Sequence, residues 1–196
     1  TVQPTLTGIE TITITDLGSA STTLSATGIT GATTIRSVNS ANTNPLIISN
    51  LASVLDFGLE NTSSGLTLQF TNAATTGAGD VLDVLLSNVS GGALIITSPS
   101  NGVETVRIAS NGTGNTLSTL AQNTGATPTA MTMTVSGPAP LTINAPLPSN
   151  VATVTATSAA GGVTLDLSSS TAPVVSVTGG AGNDTFTFGA NYTSAD

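Results

Sequence analysis

Along most of the chain, apolar residues alternate with threonine, serine or asparagine. ETITIT (10–15), LTLQF (66–70), ALIIT (93–97) and ETVRIA (104–109) show this pattern, as do AMTMTV (130–135), ATVTAT (152–157), VTLDL (163–167) and DTFTF (184–188). A period of two, or a short β-branched run, predicts strands with one face turned inward. Clusters of Gly, Asn, Ser and Pro separate these segments and predict turns. The stretch PLIISNLASVLDFGLE (45–60) has apolar spacing that suits a short helix. The chain is therefore expected to be all-β, with short strands at short intervals. Two architectures fit: a parallel β-solenoid resembling a β-roll, or β-sandwich domains.

Composition narrows the function. Only 6% of the residues are charged, with 10 acids against 2 basic residues and a net charge of −8. Phosphate recognition needs clustered Lys and Arg, so nucleic acid is not an expected partner. Scarce carboxylates with almost no basic neighbours suit a divalent cation instead. Hydrophobic residues make up 38% of the chain but aromatics only 3%, so the core must be built from small and β-branched side chains. Cysteine and histidine are both absent, which removes disulfides and thiolate or imidazole metal sites. Mean hydropathy is +0.33, yet polar residues interrupt every apolar run well short of the ~18 residues a membrane helix needs. The sequence starts at Thr1 without a leader pattern and reads as a piece of a longer protein.

Internal similarity organises the chain. GIETITI at Gly8 and GVETVRI at Gly102 share a Gly-apolar-Glu-Thr opening. They suggest a first β-rich unit over 1–100 and a second over 101–178. A closer match relates GGVTLDLSS, from Gly161, to GGAGNDTFT, from Gly179. The offset of 18 places Gly161 and Gly162 on Gly179 and Gly180, and Asp166 on Asp184. Residues 179–187 fit the nonapeptide G-G-x-G-x-D-x-U-x at every defined position, with Phe186 at the apolar place. Glycine serves where φ is positive or backbone closes on an ion, and Asn183 tolerates the left-handed region. Asp184 offers a hard anionic oxygen, and carbonyls near Gly180 and Gly182 offer neutral ones, a set suited to Ca²⁺. Residues 179–196 are thus expected to begin a calcium-binding repeat, with Asp166 ligating from the neighbouring turn. The simpler alternatives are that Asp184 caps a Gly-rich turn and Asp166 faces solvent. GAGDVLD places Asp80 and Asp83 after Gly77 and Gly79, either as a shortened calcium loop or as a turn entering a strand. Glu10 and Glu104 are expected to mark strand starts.

At these residues the sequence resembles the RTX, or haemolysin-type calcium-binding, proteins. VTGGAGNDTFTFG resembles the point where their calcium repeats begin. GIETITIT and GVETVRIAS resemble the recurrent strands of bacterial RTX-type S-layer proteins, and the Thr/Ala-rich connections resemble theirs. The resemblance implies type I secretion, calcium-dependent folding outside the cell, and assembly into a lattice on the bacterial cell surface. One complete nonapeptide is present where the family carries an array.

Catalytic chemistry has little to work with. Without His or Cys, only a carboxylate pair acting on sugars is conceivable, as in β-helical polysaccharide-cleaving enzymes. Such sites also hold basic residues or aromatic platforms, and Arg36 and Arg107 are the only cations. The expectation is a structural, self-associating coat component and not an enzyme. An adhesin or glycan-binding module with cell-surface polysaccharide as partner is the alternative. Asn61, Asn88, Asn111, Asn183 and Asn191 open Asn-x-Ser/Thr triplets, which chance explains in a chain so rich in Ser and Thr.

Overall fold

A computed structural model describes residues 1–190 except 42 and 127. Residues 191–196, the tail of the expected calcium repeat and the place of the Asn191 triplet, lie outside the described residues.

Seventeen strands run through the described chain. They are β1 (Leu6–Thr7), β2 (Thr11–Ile14), β3 (Thr22–Ser25), β4 (Ile29–Thr30), β5 (Thr34–Val38), β6 (Leu46–Leu51), β7 (Asp56–Thr62), β8 (Leu66–Phe70) and β9 (Val81–Ser98). Beyond these lie β10 (Thr105–Asn111), β11 (Asn115–Thr124), β12 (Met131–Gly137), β13 (Leu141–Ile143), β14 (Val151–Ala159), β15 (Val163–Asp166), β16 (Ser176–Thr178) and β17 (Thr185–Thr187). Every pairing between them is parallel. The chain winds as a β-solenoid of eight stacked coils. One face carries β2, β5, β7, β9, β10, β12, β14 and β16; the opposite face carries β3, β6, β8, β9, β11, β13, β15 and β17. β9 bends across the corner and serves both. β1 and β4 add a short third side at the first coils. Of the two expected architectures, the parallel solenoid is the one present.

The alternation seen in the sequence is what fills the space between the faces. On the first face, Ile12, Ile35, Phe57, Val84, Ile108 and Val135 stack in register over six successive coils. On the second, Leu46, Leu66, Leu94 and Leu120 do the same. From Ile35 and Leu46 onward, these side chains are at most 2% exposed. Burying a Leu, Ile or Phe stabilises by about 1.5–3 kcal/mol each, and stacking like on like lets small residues close the interior without voids.

The expected helix at 45–60 is instead β6, a turn and β7. Leu46, Ile48, Leu51, Phe57 and Leu59 are buried there. Their spacing looks helical because two period-two runs are joined out of phase at Asn50, whose φ is 59°. Among the described residues the helical elements are two 3₁₀ turns, Ala26–Gly28 and Asn72–Thr75. Among them, no helix is long and apolar enough to cross a membrane.

Pairing continues across residue 100, from β9 to β10 and β11, and across residue 178, from β15 to β17. The Gly-x-Glu-Thr matches mark one corner of the solenoid four coils apart. Gly8 and Gly102 are both left-handed, with φ of 67° and 88°, and β2 and β10 follow on the same face.

Candidate functional site

The Gly-rich loop before β17 stacks on the loop before β15, but in a register different from the one the sequence suggested. Thr164 pairs with Thr185 and Asp166 with Thr187, a step of 21 instead of 18. The reason is coil size: Leu46 pairs with Leu66, 20 residues on, and Leu66 with Leu94, 28 on. No coil keeps the nonapeptide's beat. Asp184 therefore lies beside Val163, at the start of β15, and Asp166 lies at its far end. Three residues at ~3.3 Å each set the two aspartates about 10 Å apart along the strand. The loops meet, whereas their aspartates do not.

Asp184 is held by backbone. Its Oδ1 accepts the Val163 N–H at 2.9 Å, and its Oδ2 accepts the Gly180 N–H at 2.7 Å. One carboxylate thus closes its own loop and clasps it to the coil before. Hydrogen bonds to a charged acceptor are the strong kind, about 1.5–3 kcal/mol each. The glycines around it are required by close approach and not by left-handed backbone, since none of 179, 180 and 182 has positive φ. A Cβ at Gly179 would press on the Asp184 carboxylate, at Gly180 on the Ala156 and Ala159 carbonyls, and at Gly182 on the backbone of Gly161 and Gly162. Asp166 caps the turn after β15, its Oδ1 accepting the Ser168 N–H at 2.8 Å. As a donor set for Ca²⁺, the chain presents here one carboxylate that already takes two N–H groups, with the second carboxylate out of reach.

Asp80 and Asp83 also part company. Asp83 points outward from β9 and takes the Arg107 guanidinium at 2.6 Å. Asp80 lies at the corner before β9, beside Glu104 on the next coil. Its N–H donates to Glu104 Oε2 at 2.8 Å. Glu104 Oε1 in turn accepts the Thr129 hydroxyl at 2.9 Å, so this glutamate ties coils on both sides of its own. Asp80 Oδ2 is enclosed without a hydrogen-bond partner among the described residues. Burial, and after it the Glu104 carboxylate, push the Asp80 carboxyl above the ordinary aspartate range, against the Gly77 N–H that lowers it. Among the described residues no three acidic side chains gather into a metal-sized cluster.

The corner residues that the sequence reading passed over are asparagines. Asn39, Asn50, Asn61 and Asn88 all have φ between 49° and 59°. Each stands in the same local pattern: a buried residue, two outward ones of which Asn is the second, then another buried residue. The segments are Ser37-Val38-Asn39-Ser40, Ile48-Ser49-Asn50-Leu51, Leu59-Glu60-Asn61-Thr62 and Leu86-Ser87-Asn88-Val89. The left-handed Asn shifts the alternation by one residue, which turns the strand round the edge of the core. Asn88 Nδ2 donates to Asn61 Oδ1 at 2.9 Å, while Asn88 Oδ1 accepts the Thr113 N–H at 2.9 Å. Two of the triplets dismissed as chance, at Asn61 and Asn88, are such corners. The buried-x-Asn-buried spacing was the signal that could have found them.

These corners, ladders and clasps define a two-faced parallel β-solenoid whose polar groups mostly serve coil-to-coil stacking. No family model matches the chain, and neither a curated protein nor a solved structure matches it.

Proposed function

We propose that this chain is a structural surface protein: an RTX-type, S-layer-like coat component that associates with copies of itself and is stabilised by calcium. The observation that carries the reading is the distribution of exposed apolar side chains. Val2, Ile9 and Leu17 are 58%, 43% and 71% exposed in the first coil and the segments leading into it, and Val174 and Phe188 are 55% and 36% exposed around the last described coil; between them, Val81 at the start of β9 is exposed to 37%. Such residues, beside outer strands that pair on one side only among the described residues, as β2 and β16 do, suit edge-to-edge contact with another copy. The two ion pairs, Arg36–Glu60 and Arg107–Asp83, use up the basic side chains within the chain, so contacts between copies rest on apolar and hydroxyl surfaces. Secretion to the bacterial cell surface and calcium binding at the 179–187 nonapeptide belong to the same reading and rest on the motif. Catalysis has no part in it.

Sedimentation and negative-stain microscopy, with calcium and with EGTA, test the proposal. Ordered sheets or filaments in calcium that disperse in EGTA, and that Leu17→Asp and Val174→Asp abolish, are expected. A monodisperse monomer at high protein concentration with calcium present overturns it.

A further inference from the structure

The outer surface of the first face carries a concentration of charge found nowhere else among the described residues. Two rows of side chains cross five neighbouring strands, β5, β7, β9, β10 and β12. One row is Thr34, Asp56, Asp83, Arg107 and Thr134; the other is Arg36, Gly58, Leu85, Ala109 and Ser136. All of these but Gly58 line a groove of about 380 Å³. Both basic residues of the chain lie in it, in a protein with only two. Each guanidinium is steadied by a carboxylate, Arg36 by Glu60 at 3.0 Å and Arg107 by Asp83 at 2.6 Å. Asp56 is exposed on its strand and has no ion-pair partner among the described residues. Gly58 leaves room for the Arg36 side chain, since a Cβ there would approach Arg36 Cγ to 3.1 Å. Leu85 provides an apolar patch at the centre.

The mixture of groups selects the ligand. Carboxylates accept from hydroxyls, guanidiniums donate to hydroxyl and ring oxygens, and Thr and Ser do both. A polyanion meets Asp56, Asp83 and Glu60 on a protein of net charge −8. A metal ion meets two guanidiniums. An added peptide strand finds no free backbone, because β5 to β12 are paired on both sides across this face. We propose that this groove binds a neutral, hydroxyl-rich glycan segment lying across the strands, parallel to the solenoid axis. Four strand spacings give the rows a length of about 19 Å, and the groove volume falls within the ~300–1,000 Å³ range of small-ligand sites. Arg107 and Asp56 are its central polar contacts and Leu85 the surface for the sugar's C–H face. The inference does not rest on self-assembly or on calcium.

Amide NMR titration with neutral α-1,4- and β-1,4-linked glucose hexasaccharides tests it, with a galacturonate hexasaccharide as the anionic comparison. Saturable shifts on residues 34–36, 56–58, 83–85, 107–109 and 134–136 are expected with at least one neutral probe. Arg107→Gln and Asp56→Asn should each weaken that binding ten-fold or more with unchanged melting curves. Thr97→Ala, on the opposite face, should leave it unaltered. Absence of saturable shifts with both neutral probes overturns the proposal. So do shifts that map elsewhere, binding of the galacturonate alone, or an affinity in Arg107→Gln and Asp56→Asn equal to that of the unsubstituted protein.

Discussion

The middle coils and the last described coil solve the same stacking problem with different forces. Between β5 and β12, large side chains such as Phe57, Leu59, Leu86 and Leu94 are buried to 1% exposure or less and stack in ladders. Around β17 the strand is three residues long, Phe186 is only partly buried, and the loop before it is glycine. There the Asp184 carboxylate bridges Val163 and Gly180 where the middle coils have apolar area. A solenoid whose coils touch only their neighbours has local stabilities that need not be equal. The comparison implies a firm centre and an end that opens first.

The sharpest way to break this contrast is to remove a central rung. Phe57→Ala should cost about 3–5 kcal/mol and lower the whole melting transition, because the cavity lies between coils on both sides. A loss confined to the amides of one coil would show that the middle is not a cooperative unit.

Asp184→Asn comes next. It turns one acceptor of the clasp into a donor facing an N–H and should cost about 1–3 kcal/mol. Measured in EGTA, hydrogen exchange should speed up at Val163 and Gly180 while Leu94 and Leu120 keep their protection. Uniform acceleration would contradict the division into centre and end.

At the corners, Asn88→Ala should cost about 1–2 kcal/mol, because alanine lacks the short polar side chain that lets asparagine tolerate the left-handed region and loses the bonds to Asn61 and Thr113. Asn88→Gly restores the backbone and should recover part of that loss. If denaturant midpoints of the two variants coincide, the left-handed geometry is not what asparagine supplies.

The smallest effect concerns Asp80. Its folded carboxyl titrates above the ordinary value of 3.8. Between those two values the folded chain holds a proton that the unfolded chain has released, so this group's contribution to stability falls as pH rises through that window. Asp80→Asn should therefore raise the melting temperature at pH 7 and leave it unchanged at about pH 3, where both states are protonated. An increase of equal size at both pH values would assign the effect to packing.

How much of this was legible follows from which physical period each feature obeys. LTLQF (66–70) matches β8 residue for residue, its apolar positions Leu66, Leu68 and Phe70 all buried, although Thr67 between them is buried as well. In ETVRIA and AMTMTV the alternation of apolar and polar residues coincides with the alternation of burial in β10 and β12. Segments such as Leu46–Leu51 read as helix because one left-handed asparagine breaks the period in mid-run. The site was harder. The nonapeptide predicts an 18-residue beat, but the register is set by inward-facing residues such as Leu165 and Phe186, 21 apart. Asp184, expected as a calcium ligand, closes its loop onto the preceding coil through Val163 and Gly180. Its backbone partners, and the clamp made by Glu104, depend on which coils lie side by side, which no local pattern states. The charged groove was invisible for the same reason. Arg36, Asp56, Asp83 and Arg107 are remote in sequence and meet only through pairing.

Parallel in-register pairing also makes the molecule a ruler. Each coil spends between about 20 and 28 residues, as the steps Leu46–Leu66 and Leu66–Leu94 show, yet each adds the same ~4.8 Å of length. Sequence drift in the loops alters the outline of a coil and leaves the advance untouched. Duplication or loss of one coil lengthens or shortens the rod by one fixed notch while its cross-section persists. Thickness in such an object is inherited in whole steps, and a wall made from it would vary by counting.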